Sequence, residues 1–328
     1  MAKKIQKTAL LILPIALGVF LIWYSFSKLS STDVDSIKLS FKTANYWWVL
    51  ASVLFGVLSH LSRAYRWYFL LEPLGYKPRF ANSVMAVLIA YLLNLLIPRS
   101  GEIARAASVK KYENIPFEKA FGTIVAERVA DVIMLLLIIG IAFFLQTELI
   151  GSYLFKGGEK SSTITKIVVF IVLPVIGFFT YRFFKKSKNP VIKKVIVFIN
   201  GLIEGAKSIL TMKKKWKFIF HTIFIWLMYV LMFYVVTFAL PETTNLPFGA
   251  IIVGFVVGGI SMALTNGGLG TYPVFVAGAL VLYKIDHNAA LAFGWIMWTA
   301  QTIMVLLFGS LSLIFIPIYN KYLAKANS

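Results

Sequence analysis

Arginines and carboxylates stand in this chain where apolar surroundings give them no cheap place. "SRAYRWYFLLEPLGY" carries Arg63 and Arg66 at the end of one apolar run, and "NLLIPRSGEIAR" carries Arg99, Glu102 and Arg105 at the end of another. "AERVAD" sets Glu127, Arg128 and Asp131 inside a third. An ionisable group inside a membrane span costs several kcal/mol unless it is paired or hydrated, so each is a candidate for function. On a helix His60, Arg63 and Arg66 fall at i, i+3 and i+6. Guanidinium groups there suit a phosphate, which their planar fork of donors can grip. The competing readings are that Arg66 lies near the inner interface and snorkels, and that His60 is a packed histidine. Glu127 and Asp131 are four residues apart on one helical face, and Arg128 can reach Asp131 from three residues before it. They read either as a buried ion-pair cluster that fixes helix packing, or as partners for Arg99 and Arg105, a transported cation or a proton.

Other chemistry is weaker or absent. "TNGGLGTYP", with Asn266, Gly267, Gly268, Gly270 and Tyr272, can cup an anion with successive backbone N–H groups or serve as a helix break with close helix approach. "DVD" at 33–35 has the spacing of a sugar-nucleotide DxD but only two acids to support it. His60, His221 and His287 have no metal-ligand spacing. No cysteine is present, and no Walker loop or nucleophile elbow appears. No metal and no cofactor are expected.

The elements that must position these residues are membrane helices. The chain has 328 residues, 59% hydrophobic and only 14% charged, with a mean hydropathy of +0.81. Soluble domains carry about 25% charged residues. The expected fold is therefore an all-α polytopic membrane protein forming one transmembrane domain over residues 1–328. The net charge of +20 sits in loops, where the positive-inside rule and anionic lipid account for it better than nucleic acid does.

Six apolar stretches have spanning length: 9–27, 46–70, 117–145, 166–183, 217–240 and 289–316. Two more, 82–112 and 248–282, are interrupted. Between 182 and 217 stand eleven Lys or Arg against one acid, Glu204, so that stretch should be cytoplasmic. Starting from a cytoplasmic N-terminus, the parity works only if 82–112 enters and turns back, with Pro98–Glu102 at its tip. The region 248–282 breaks similarly at Thr265–Pro273. Both termini are then cytoplasmic. The halves, about 9–145 and 166–316, show the pattern of inverted-topology repeats, whose ligand sites lie where broken helices meet. Residues 185–215 form a cytoplasmic amphipathic segment, read either as a helix on the inner leaflet or as a connector packed on the bundle.

The pieces quoted above, in that order and followed by "GGLGTYP", resemble the lysylphosphatidylglycerol synthase transmembrane-region family of flippase-like membrane proteins. The resemblance covers nearly the whole chain. It implies a bacterial or archaeal inner-membrane protein that handles polar lipids. It carries motif roles onto Asn94, Arg99, Ser100, Gly101, Glu102, Arg105, Glu127, Arg128 and Asp131. Family members often have an acid three residues after the last glycine of the GGxG piece, where this chain has Pro273. With only a dozen residues after the last apolar stretch, the synthase domain is not expected, and neither is lysyl transfer.

The function expected is translocation of a charged lipid head group between leaflets. Arg63, Arg66, Arg99 and Arg105 would attract a phosphate, Glu102, Glu127 and Asp131 would balance them, and the glycine turn would gate. The partners are membrane lipids and, in one reading, a separate lipid-modifying enzyme. The alternatives are a proton-coupled transporter of a soluble anion and an accessory subunit of a lipid-modifying transferase.

Overall fold

The computed structural model describes residues 16–27, 29–147, 168–185 and 189–326. Among the described residues the chain is helical, with no strand. Its helices are α1 (Ala16–Ser27), α2 (Ser31–Thr43), α3 (Tyr46–Leu71), α4 (Phe80–Leu96), α5 (Ser100–Glu113), α6 (Phe117–Leu145), α7 (Leu173–Phe184), α8 (Pro190–Thr211), α9 (Lys215–Val236), α10 (Phe248–Leu264), α11 (Thr271–Val281) and α12 (His287–Ala326). Helices α3, α6, α9 and α12 lie in the segments long and apolar enough to cross a membrane. Both interrupted regions are broken helical pairs, α4/α5 and α10/α11.

Several expectations change. Residues 28–45, between the first two expected spans, contain α2, started by a capping box in which Ser30 and Asp33 satisfy each other's backbone N–H groups. The "DVD" acid Asp33 is thus a capping residue, and its Oδ1 also accepts from Asn288 Nδ2 of α12 at 2.8 Å. These bonds hold its carboxyl down at about 2, with Ser30's side chain the largest cause. Residues 9–15 of the first expected span lie outside the described residues. The span expected at 166–183 appears as a π-helical turn, Val168–Val172, leading into α7. Helix α12 continues ten residues past the end expected for it.

The chain forms two compact units that do not coincide with the two expected halves. One takes residues up to Glu127 and from Trp216 onward, and the other is Arg128–Lys215. The first unit has two cores. Trp67, Leu71, Ala86, Ala106, Val109 and Ile124 join α3 to α6 around the first broken pair. Phe233, Ala250, Val276, Leu280, Phe293 and Met297 join α9 to α12 around the second. In the second unit α8 has its expected amphipathic form, capped by Asn189, and Tyr181 of α7 donates to Asn200 Oδ1 at 2.7 Å.

Candidate functional site

A buried ion triad lies where α3, α5 and α6 meet. Glu127 is 1% exposed and Arg66 0%. Arg66 Nε lies 3.5 Å from Glu127 Oε1, and Arg105 Nη1 donates to Glu127 Oε2 at 2.5 Å. Each carboxylate oxygen therefore faces its own guanidinium. The neighbours complete the setting. Arg66 Nη1 donates to Thr222 Oγ1 of α9 at 3.0 Å, and its guanidinium lies 5.2 Å from the Phe218 ring centroid. Arg105 stacks over Trp67, 3.8 Å from the ring centroid, and Trp67 Nε1 donates to Thr123 Oγ1 at 2.8 Å. Burying such charges is costly, and hydrogen bonds plus aromatic faces are what make it tolerable. With all three ionised, the triad carries one net positive charge.

Arg66 is therefore not a snorkelling residue at the interface. It points into the protein because its guanidinium has a carboxylate and a threonine to meet there. Arg63, also buried, follows α3 one turn earlier, and its Nη2 donates to Tyr229 Oη at 3.4 Å. The Tyr229 and Tyr91 hydroxyls are 3.0 Å apart, and the His60 ring lies 4.2 Å from Tyr91's.

The first break is held by polar bonds. Arg99 stands in the left-handed region, φ 63°, as the N-cap of α5, and it is exposed. Gly101 N–H donates to Asn94 Oδ1 at 2.8 Å, and Asn94 Nδ2 reaches Glu102 Oε1 at 3.4 Å. Ser100 Oγ donates to Leu93 O at 2.9 Å. Gly101 has to be glycine, since a Cβ there would collide with the Ala90 carbonyl across the hairpin.

The second break is closed. Gly267, Gly268 and Gly270 all have positive φ. Around them are Leu95 of α4, Met262, Tyr272 and the Gly18 carbonyl of α1. The glycines thus permit close approach, and Gly267 against Leu95 brings the two breaks together. Thr265 and Thr271 share a hydrogen bond of 2.8 Å, and Trp298 Nε1 donates to Gly267 O at 2.8 Å. Tyr272 is buried.

The structure brings together Arg66, Arg105 and Glu127. It brings together Asn94, Ser100, Gly101 and Glu102 at the first tip, with Arg99 on its exposed side. The expected balance of Arg63, Arg66, Arg99 and Arg105 by Glu102, Glu127 and Asp131 takes a narrower form. Glu127 meets Arg66 and Arg105, Glu102 meets Asn94, and Asp131 pairs at 3.7 Å with Arg128 in the other unit. Trp67, Thr123, Thr222, Tyr91 and Tyr229 were not marked by the sequence. A threonine or tyrosine in an apolar helix carries no charge signal. Trp67 alone had a cue, its place next to Arg66.

The profile of the lysylphosphatidylglycerol synthase TM region family matches residues 11–309. A UPF0104 membrane protein of Methanocaldococcus jannaschii is 27% identical over 236 residues, 61% of this chain and 66% of that protein. A UPF0104 membrane protein of Pyrococcus horikoshii is 28% identical over 142 residues, 42% of this chain and 40% of its own length. Glycosyltransferase AglD of Haloferax volcanii is 36% identical over 95 residues, 29% of this chain and 15% of that protein. The matches thus span less than two thirds of each of these relatives. No solved structure matches.

Proposed function

This chain belongs to the lysylphosphatidylglycerol synthase TM-region family, and from that premise we propose that it moves lipids with an anionic head group between the leaflets of a bacterial or archaeal cytoplasmic membrane. The observation that carries the reading is the buried triad. A broken hairpin delivers Arg105 to Glu127 and Arg66 inside a bundle of apolar spans. A phosphate competes with one carboxylate for two guanidiniums. Binding then releases a guanidinium from Glu127, and the negative charge of the phosphate offsets the net positive charge of the triad. Arg99, exposed at the tip, meets the head group first. Acyl chains stay in the bilayer while the head group crosses. The chain acts by translocation rather than by lysyl transfer, with both termini cytoplasmic.

The test is reconstitution in liposomes with fluorescent phosphatidylglycerol, scored by quenching of the outer leaflet. Wild type is expected to exchange the probe, with Glu127→Gln and Arg99→Ala each slowing it. Arg99→Ala lies on the surface and should leave folding intact. Exchange at the wild-type rate in both variants would overturn the reading. One observation favours a second reading, a membrane subunit serving a transferase: the 95-residue similarity to a protein named as a glycosyltransferase.

A further inference from the structure

Earlier on α3 than Arg66, a second polar group centres on His60 and Arg63. His60 is 4% exposed, and neither of its ring nitrogens has a hydrogen-bond partner among the described residues. Trp226 Nε1 is likewise buried without one. The two are linked ring by ring. His60 lies against Tyr91, whose hydroxyl meets Tyr229's. Tyr229 in turn meets Trp226 edge-on, with ring centroids 6.1 Å apart.

Buried polar atoms in native proteins are almost always hydrogen-bonded, so three such atoms in one linked group call for a cause. The spacing supplies one. His60 and Arg63 are three residues apart on α3, and Trp226 and Tyr229 are three apart on α9. Each pair therefore shares a helical face, and Arg63 reaches Tyr229 across the gap.

The donor inventory then limits the occupant. Guanidinium and indole only donate, while each phenol and the neutral imidazole can donate once. Donors outnumber acceptors, so a group rich in acceptor oxygens fits and an ammonium group does not.

We propose that His60, Arg63, Tyr91, Trp226 and Tyr229 form a binding site for a phosphate group, with the His60 and Trp226 N–H groups as donors to its oxygens. The lipid as the source of that phosphate rests on the reading above, and the site itself does not. The aromatic rings wall the phosphate from hydrocarbon, and the arginine supplies the counter-charge.

The experiment uses the full chain in detergent and follows thermal unfolding. Four conditions are compared: no addition, dihexanoyl phosphatidylglycerol, dihexanoylglycerol and inorganic phosphate. Phosphatidylglycerol is expected to raise the Tm and dihexanoylglycerol to leave it unchanged. A shift with inorganic phosphate as well supports the site with free phosphate as its ligand, and a shift with the phospholipid alone supports it with lipid. His60→Phe and Trp226→Phe should each raise about tenfold the ligand concentration needed for a given Tm shift, the scale of one hydrogen bond to a charged group. Both should leave the ligand-free Tm unchanged or higher, because the groups removed have no partner to lose.

Undiminished binding in both variants would overturn the proposal, as would a clear fall in the ligand-free Tm of His60→Phe. Loss of binding in His60→Phe with leaflet exchange intact supports a phosphate site off the lipid path. Wild-type exchange in Glu127→Gln and Arg99→Ala with the binding pattern intact removes the transport reading and leaves the site standing.

Discussion

Each broken hairpin turns through residues in the left-handed region, yet the two are held by different forces. At the first, the left-handed residue is Arg99, whose side chain is exposed, and the turn is tied by Asn94 to Gly101 and Glu102. One helical turn past Glu102, Arg105 runs into the ion triad. At the second, the left-handed residues are glycines, shut in by Leu95, Tyr272 and the Gly18 carbonyl. Its polar bonds are neutral, one between Thr265 and Thr271 and one from Trp298 to the Gly267 carbonyl. One break depends on charge and hydrogen bonds, the other on volume. Since non-helical backbone at membrane depth must be covered by protein or water, the second is covered by protein, and the first has a charged residue that demands water.

That contrast can be broken by substitution. The largest effect is expected from Glu127→Ala, which leaves two buried guanidiniums without their shared carboxylate. Thermal or denaturant unfolding should show a loss of about 3–5 kcal/mol. A loss below about 1 kcal/mol would mean that the first hairpin does not depend on charge.

Gly270→Ala should come next. It adds left-handed strain of about 1–2 kcal/mol to overpacking of about 1–3 kcal/mol, because its Cβ would strike the Gly18 carbonyl. Gly75→Ala isolates the strain, since Gly75 has φ 86° with nothing within 4 Å. It should therefore cost only the first of those amounts. Equal losses at the two glycines would remove the case that packing closes the second break.

Asn94→Ala should cost about 1–3 kcal/mol by stranding the Gly101 N–H. Thr265→Val should cost about 1 kcal/mol, because Thr271 Oγ1 keeps its bond to Ser261 O at 3.0 Å. The order of these two, read from the same melts, sharpens the comparison.

The smallest effect is at Asp33, whose partner Asn288 belongs to α12, the helix that also holds Gly267 through Trp298. Its carboxyl is lowered from an ordinary 3.8 to about 2. A depressed acid stabilises the fold above its unfolded value and loses that contribution as the pH falls through the folded one. The advantage of wild type over Asp33→Asn should be full above about pH 4 and fade toward pH 2. An advantage that grows on acidification would reverse the assignment.

Much of this was legible in the residues. The charge parity of the loops, with Pro98 and Gly101 interrupting an apolar run, pointed to the first hairpin. The glycines gave the second. The amphipathic period gave α8. What hid the rest was physical. Arg66 looks like an interface residue because distance along a helix says nothing about which neighbour waits beside it; Glu127, sixty-one residues on, decided the matter. Helix α2 was hidden because it is polar overall, and its apolar period is only three residues long, Val34, Ile37 and Phe41, of which Ile37 and Phe41 join the core. Arg128 shares a motif with Glu127, but one residue along a helix turns the side chain by about 100°; Asp131, four residues on and back on the Glu127 face, pairs with Arg128.

The most direct measurement uses the absence of native cysteine. Arg99→Cys and Thr265→Cys, reconstituted in vesicles, are exposed to a water-soluble maleimide with both membrane faces accessible. The account predicts rapid labelling at position 99 and none at 265 on the same timescale. An unreactive thiol at 99, or labelling at 265 as fast as at 99, would contradict an open, charge-held first break opposite a closed second one.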